Sequence, residues 1–442
     1  MAHQLETTET SSATIAKELT LQILSHLAQG QEPQRIRVRL WDGSHWPDAH
    51  PKAATIVLNR PSALKEMLLA GTEAGVGEAY IHAAFDIEGD FEAGFELADI
   101  LIAQTEGWSK KLKIVYLLHR LPDFEASSAQ KSGRGAHLAG QEHSLKRDKA
   151  AVRFHYDVSN DFYRLWLDPW MAYSCALFTH SDESLENAQV HKFDHICRKL
   201  GLKPGDRLLD IGCGWGGLLI HAATHYGVEG EGITLSEKQA DLAQKRLFDS
   251  GLQDRVSVRI QDYRELNEPA AYDAIVSVGM VEHVGRKRLP DYFQQAMSLL
   301  KPGGLFMNHG IGLGPMPLPD QSGSFIRQYV FPDSELISIG HMLEAAAHAR
   351  LEIRDVESLR EHYALTLRHW IRRLEEHRES ALQYVNETVY RIWRLYMAGC
   401  AHGFQLGQLS IYQSLLAKPN QDGSSNAPLT RDHWYRGRHE NR

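Results

Sequence analysis

The chain is poor in cysteine. Its four, Cys175, Cys197, Cys213 and Cys400, are widely spaced and form no C-x-x-C pair. That argues against a disulfide framework or a cysteine-built zinc site, so no metal is expected, and it fits a reducing compartment. Long apolar runs are missing too: none approaches the roughly 20 residues of a membrane-spanning helix. The N-terminus is polar and acidic and lacks the charged-then-apolar pattern of a secretory leader. A cytoplasmic chain is the expectation. The third absence is an excess of positive charge. A formal net charge of −8 argues against nucleic acid as a partner. It also argues against whole-surface attraction to anionic lipid, so any membrane contact has to be local. At 442 residues the chain exceeds one ordinary domain, and two are expected.

What the chain does have is a glycine turn after a short buried strand. Arg207–Ile211 reads as the strand, Gly212-Cys213-Gly214-Trp215-Gly216-Gly217 as the turn, and a helix begins near Gly216. Without a Cβ, Gly212 and Gly214 reach unusual φ/ψ and let a ligand lie against bare backbone. Such a ligand also meets the free N–H groups of a helix start. The spacing completes G-x-G-x-x-G, yet the dinucleotide reading weakens downstream. The next strand, Val228 to Leu235, ends at Thr234 and Ser236 with no acidic residue at its tip; Glu229 and Glu231 lie inside it. The Asp210-led Asp-Ile-Gly-Cys-Gly form is that of S-adenosylmethionine (SAM) sites.

From Arg207 onward strands and helices alternate: Val228–Thr234, Val256–Ile260, Ala274–Val278 and Leu305–Asn308 are the further strands. The pattern predicts an α/β, doubly wound, Rossmann-like fold, preceded by a small N-terminal α+β domain; the glycine turn's resemblance to SAM sites implies that the fold is of the class I SAM-dependent methyltransferase kind. Ligands are expected at the strand carboxyl ends, and polar groups gather there. They are Asp210 with Trp215 and Gly216, then Thr234, Ser236 and Gln239, then Gln261-Asp262-Tyr263, Gly279-Met280-Val281-Glu282-His283 and His309-Gly310-Ile311. Lys301-Pro302-Gly303-Gly304 reads as a tight turn before the last strand.

The domain division read from pattern is 1–124, a linker over 125–150, and a catalytic domain over 151–442 with a helical C-terminal cap. In the front part, residues 1–12 read as loose and Ile15 to Ala28 as a helix. Ile36–Leu40 and Ala54–Leu58 read as strands, Pro61 to Ala70 and Phe91 to Ala103 as helices. Gly107 to Leu121 sets Trp108, Leu112, Val115, Tyr116 and Leu118 beside Lys110, Lys111, Lys113 and Arg120. A basic helix with an aromatic anchor can lie on a membrane surface, and a domain-connecting helix with a solvated lysine face is the other reading. Residues 125–150 are Ser-, Gly-, Gln- and Lys-rich without periodicity, the composition of a flexible linker. Arg368, Arg372 and Arg373 share one helix, as a solvated face beside Glu375 and Glu376 or as a phosphate contact.

Tyr173-Ser174-Cys175, Asp210 to Gly217, Gln261-Asp262-Tyr263-Arg264 and Val278 to Gly285 together resemble the cyclopropane-fatty-acyl-phospholipid synthase family. The resemblance runs from about Phe154 to about Tyr412, and more weakly to Gly77-Glu78-Ala79-Tyr80 and Asp86 to Asp90. It implies methyl transfer from SAM to a cis double bond of an unsaturated phospholipid acyl chain, then proton loss and ring closure. The implied SAM contacts are Tyr173, Ser174, Asp210, Gly212, Gly214, Thr234, Leu235, Gln239, Asp262 and Tyr263. The implied bicarbonate pocket is Cys175, Glu282, His309, Ile311 and Tyr363. Cys400 matches a cysteine proposed as catalytic in the family, although the chemistry has no acyl transfer and a buried helical thiol is inert. A homodimer at the inner face of the cell membrane is also implied.

An alkene is a poor nucleophile and its methylated cation is easily trapped by water, so the site must be dry. Tyr173, Trp215, Tyr263 and Tyr363 are candidates to face positive charge, each worth about 1–2 kcal/mol when desolvated. A bicarbonate beside Glu282 requires a shared hydrogen bond, since two adjacent anions repel. The expectation is that bicarbonate donates to Glu282 while His309 and Tyr363 donate to its other oxygens. Two other readings remain at this point: a related lipid C-methyltransferase giving a methyl-branched or sphingolipid product, and a module that holds SAM and lipid without turnover.

Overall fold

The structure is a computed structural model that describes residues 2–28, 33–48, 50–97, 108–123, 141, 143–156, 158–318 and 324–435. Its contacts divide the chain into two units.

The first unit takes residues up to 123, then 324–330 and Asn386–His402. It is built on a four-stranded sheet of order β2-β1-β3-β4, with β1 at Ile36–Arg39, β2 at His45–Trp46, β3 at Ala54–Leu58 and β4 at Phe85–Gly89. The turn at Asp42-Gly43 closes a β1–β2 hairpin, a pairing too short for periodicity to reveal. A helix spans Ala2–Ala28. It begins well before the apolar stripe Ala16, Leu19, Ile23, Leu24 and Leu27 that packs into the core. Once that stripe is anchored, each added residue needs only a backbone bond, so the polar start expected to be loose is helical. Gly77–Tyr80 lies in the helix Glu73–Ile81, capped by Thr72, whose hydroxyl accepts from Gly75 N–H at 3.1 Å. Of the helix expected over 91–103, a 3-10 turn at Glu92–Gly94 leads into helix at 95–97, and 98–103 lie outside the described residues.

The late segment Asn386–His402 is held in this unit by a buried arginine. Arg391 donates to Tyr80 O at 2.8 Å, Phe85 O at 2.8 Å and Asp86 Oδ2 at 2.7 Å, and lies 4.0 Å from the Tyr80 ring centroid. The linear division at 124/151 therefore misses part of the first unit. Linear pattern cannot show that a C-terminal helix face returns to the N-terminal sheet.

The second unit carries the larger sheet, order β11-β12-β9-β8-β5-β6-β7, with β10 paired to β9. Its strands are β5 Arg207–Ile211, β6 Glu229–Thr234, β7 Val256–Ile260, β8 Tyr272–Val278, β9 Leu300–Leu313, β10 Ile337–Ser338, β11 Glu352–Ser358 and β12 Leu409–Ala417. β9, β8, β5, β6 and β7 are parallel. β12 runs antiparallel to both β9 and β11. Successive residues alternate between two cores: Leu208, Leu305, Met307 and Leu415 face one, Leu209, Phe306 and Leu416 the other. That period of two, with apolar helices on both faces, is the signature of a doubly wound sheet.

Three local expectations need correcting. Residues 145–150, assigned to the linker, open the helix Leu145–Tyr156, while 125–140 and 142 lie outside the described residues. Lys301–Gly304 lies within β9, where Gly303 takes φ +78° and the β8–β9 register shifts by a bulge. β12 falls in a C-terminal region expected to be mostly helical, where no element was placed after Gly407; it is buried on both faces and so lacks the apolar–polar alternation that marks a half-exposed strand.

Candidate active site

The tips of β5, β6, β7 and β8 surround a pocket that begins at the glycine turn. Gly212, Gly214 and Gly216 all have positive φ, at +84°, +55° and +77°. The N–H groups of Gly212 and Cys213 both donate to Ile233 O, at 2.9 and 3.0 Å, which ties the turn to β6. A Cβ built on Gly214 meets no heavy atom within 4 Å, so the turn offers open backbone.

Polar groups from separate elements face the same pocket. Asp210 ends β5 and is buried; Thr234, Leu235 and Gln239 come from β6 and the helix after it. The Thr234 hydroxyl and Gln239 Oε1 lie 2.7 Å apart, which leaves the Gln239 amide nitrogen as its donor end. Asp262 is held by a fork: Arg264 Nε reaches Oδ1 at 2.8 Å and Nη2 reaches Oδ2 at 2.7 Å. Arg264 also reaches Asp148 Oδ2 at 2.9 Å, fastening the helix Leu145–Tyr156 to the pocket wall. Tyr173 sits in an aromatic cluster, with ring centroids 5.2 Å from Trp370, 5.4 Å from Trp166 and 5.7 Å from Tyr163.

A buried lysine is the pocket residue the sequence reading missed most plainly. Lys192 is 1% exposed and donates to Ser174 Oγ at 2.7 Å. Burial pushes it down to about 8 against the charges of Asp168, Cys175 and Asp210. Burial likewise pushes Asp210 up to about 7, opposed by the Lys192 charge. The signal was present: on the helix Leu185–Lys199, Lys192 falls among the core positions Ala188, Gln189, Phe193 and Ile196. A charge on the apolar stripe of a helix calls for a partner. Asp148, Arg264, Met280 and His283 also line the pocket and were not singled out as binding residues.

Directly after Met280 in the chain begins a second group of buried polar residues. The 3-10 turn Val281–His283 follows β8, and Glu282 Oε1 accepts from Ile311 N–H at 2.6 Å. His309 O accepts from Gly279 N–H at 2.8 Å, so the end of β8 is locked beside β9, which runs on to Leu313 and holds His309-Gly310-Ile311 within the strand, past the tip expected there. Gly310 allows this approach: a Cβ there would lie 2.2 Å from Val281 Cγ1. Glu282 Oε2 and His309 Nε2 are buried, and no described protein group hydrogen-bonds to either. Burial pushes Glu282 up to about 7, against the Ile311 N–H that favours its charged form. Burial, with the charges of Lys192 and Lys199, pushes His309 down to about 3. Cys175 Sγ lies 3.8 Å from Leu359 O, and Tyr363 N–H donates to that same carbonyl at 3.1 Å. Leu359 N–H in turn donates to Ile411 O at 2.9 Å, and Ile411 is the β12 partner of Ile311. Glu282 Oε2 and His309 Nε2 are thus each a buried polar group open to a partner from outside the protein.

Of the residues singled out as cofactor contacts, Tyr173, Ser174, Asp210, Gly212, Gly214, Trp215, Thr234, Leu235, Gln239, Gln261, Asp262 and Tyr263 line the pocket. Gly216 and Ser236 do not. Gly216 is the N-cap of the helix Gly217–Tyr226. Ser236 is the buried N-cap of Glu237–Asp249 and accepts from Gln239 N–H at 3.3 Å. Cys400 belongs to the first unit, and burial together with the Glu73 charge pushes its thiol up, away from nucleophilic character. The three arginines bond within the protein: Arg373 to Glu186 at 2.6 Å, Arg372 to His369 at 2.7 Å and Arg368 to Gln405 at 3.0 Å.

Comparison with known proteins gives concordant results. A family model described as mycolic acid cyclopropane synthetase matches residues 143–414. A probable fatty acid methyltransferase of Pseudomonas putida is 40% identical over 404 residues, 91% of this chain and 96% of the relative. The solved cyclopropane synthase MmaA2 from Mycobacterium tuberculosis is similar with TM-score 0.59 and 38% identity, over 61% of this chain and 98% of that one. A mycolic acid cyclopropane synthase CmaA1 complexed with SAH and CTAB gives TM-score 0.58 at 37% identity, over 61% and 98%.

Proposed function

Because the chain belongs to the mycolic acid cyclopropane synthetase family and is a SAM-dependent methyltransferase, we propose that it methylates a cis double bond in an unsaturated phospholipid acyl chain and closes a cyclopropane. The observation that carries the reading is the pairing of two sites at one sheet edge. A glycine-turn pocket lies at the tips of β5 to β8, and the buried Glu282 stands in the turn that follows the pocket residue Met280, bonded to Ile311 two residues after the buried His309. SAM, when bound, supplies a methyl made electrophilic by its sulfonium. The chain's own residues hold and orient it: Asp210, Gln239 and Asp262 offer polar contacts, and the glycine turn gives open backbone. Tyr173, among Trp166, Trp370 and Tyr163, keeps water out and presents aromatic faces to positive charge. Glu282, His309 and Tyr363 would hold bicarbonate, which collects the proton released at ring closure.

The test is direct. Purified protein, labelled SAM and vesicles of a cis-unsaturated phospholipid should give labelled lipid, with product mass and unsaturation matching a ring. No label transfer would end the reading. A methyl-branched product would establish the second reading, which the likeness to a probable fatty acid methyltransferase favours.

We further propose docking at the inner face of the cell membrane. On the helix Trp108–His119, Leu112 is 65% exposed, Val115 43% and Tyr116 62%, on one face at i, i+3 and i+4, with Lys113 and Arg120 nearby. Because the first unit takes in Asn386–His402, deleting residues up to 125 would leave that segment unpaired, and point variants are the cleaner probe. Leu112→Glu with Tyr116→Glu should lose binding to anionic vesicles and keep SAM affinity; unchanged vesicle binding would reject the proposal. A homodimer is proposed on family grounds, and sedimentation would test it.

A further inference from the structure

The anion group has a third buried member that the preceding reading leaves without a task. Gln413 is 0% exposed and sits on β12 opposite His309, its antiparallel register partner on β9. Gln413 Nε2 lies 3.4 Å from His309 Nδ1, and Gln413 Oε1 is buried without a described protein partner.

We propose that Gln413 is a positioning residue that sets the tautomer of His309: its side-chain amide donates to Nδ1, so the imidazole carries its one proton on Nε2 and offers a donor to the anion. The proposal rests on the bicarbonate reading and deepens it. A neutral imidazole has one donor and one acceptor, and which nitrogen is which follows from the partner of the other. His309 is neutral: burial and the charges of Lys192, Lys199 and His195 hold its pKa low against Glu357. With Nδ1 fixed as the acceptor, Nε2 must be the donor, and Nε2 is the atom left without a protein partner.

The opposite arrangement is the poorer one. An amide turned to accept from Nδ1–H would leave its own N–H groups buried and unpaired, and unpaired donors are rarer than unpaired carbonyls. It would also present the Nε2 lone pair to an anion. A hydrogen bond with a charged partner contributes more than a neutral one, so the tautomer is worth setting. Holding a ligand through a fixed imidazole orientation is the same device that orients histidines around metals, here applied to an anion.

The test combines spectroscopy with kinetics on the intact chain. Protein labelled with 15N-histidine, with His309 assigned by difference against His309→Asn, should show a protonated Nε2 and an unprotonated Nδ1. In Gln413→Glu the carboxylate accepts from Nδ1–H, so the proton should move to Nδ1. The bicarbonate KM should then rise at least about tenfold, the loss of one hydrogen bond to a charged group, with SAM affinity unchanged. Gln413→Met, similar in shape and without either polar atom, should show a mixture of tautomers and an intermediate KM, and serves if the glutamate variant fails to fold. A proton on Nδ1 in the parent would overturn the proposal. So would Nε2–H persisting in Gln413→Glu, or a bicarbonate KM that stays put when the proton moves. Parent turnover indifferent to bicarbonate would overturn the underlying anion reading while the 15N result still reports the tautomer.

Discussion

Gly214 separates ligand contact from backbone strain. Its φ is +55° and nothing in the protein lies within 4 Å of the Cβ that Gly214→Ala would add. The folded chain therefore loses only the left-handed backbone cost, about 1–2 kcal/mol. For a unit of this size that is a fall in Tm of roughly 2–8 °C. If SAM lies against the turn, the new methyl also meets the ligand. A methyl-scale misfit in a formed pocket costs about 1–3 kcal/mol, a loss of roughly 10- to 200-fold in affinity. Gly205→Ala is the control: φ is +86°, nothing stands within 4 Å, and Gly205 does not line the pocket. It should melt earlier with parental SAM affinity. Calorimetric titration with SAM and thermal unfolding on both variants decide the matter. Gly214→Ala binding SAM as the parent does, while melting earlier, would refute the placement of the ligand against bare backbone.

Glu282→Gln should keep SAM affinity and lose most turnover, measured with labelled SAM; normal turnover by this variant, or by the parent in bicarbonate-depleted buffer, would count against the role of Glu282. Cys400→Ala should keep turnover near parental, because Cys400 lies in the first unit and its thiol is pushed away from ionisation; a loss of most kcat at parental Tm would restore a chemical role. Burial pushes Glu357 up, but hydrogen bonds from His195 and Lys199 and the Lys199 charge outweigh it and hold the carboxyl down at about 2. A depressed carboxyl stabilises the fold above its unfolded value of about 4.5 and loses that contribution as pH falls toward 2. Glu357→Gln should therefore be less stable than the parent at pH 7, with a gap in urea midpoint that narrows by pH 3; a constant gap would contradict the assignment.

The parallel strands β5 to β8 were legible because each is a short apolar or alternating run followed by polar residues at a predicted tip. The pocket followed from those tips, and the residues that escaped had a different origin. Gly216 and Ser236 look like site residues because they stand beside the turn and the β6 tip, yet a helix start needs caps and those positions supply them. Lys192 sits on the core stripe of its helix, where a charge calls for a partner that local pattern does not name, and Gln413 comes from a strand buried on both sides, whose faces cannot be told apart locally. Arg391 joins the C-terminal segment to Tyr80 and Asp86, a contact more than 300 positions apart in the chain. Local pattern carries periodicity, and pairing across such a distance does not affect it.

The same burial moves Glu282 and His309 in opposite directions, and the two shifts bear on which group can keep a proton. His309, pushed down to about 3, cannot hold an extra proton at neutral pH. Glu282, pushed up to about 7, is divided between its two forms near neutrality. A second anion beside a fully ionised Glu282 would be repelled, whereas a carboxyl at this value shares a proton with an oxyanion at little cost. Under the proposed function, bicarbonate between a proton-sharing Glu282 and an Nε2–H of His309 would have one donor and one acceptor matched, which would leave its remaining oxygen to act as the base. Replacing His309 by a residue that charges at neutral pH would fix the anion too tightly to turn over, and replacing Glu282 by one that stays ionised would expel it. On that proposal, the burial of Glu282 and His309 would serve the chemistry as well as the packing.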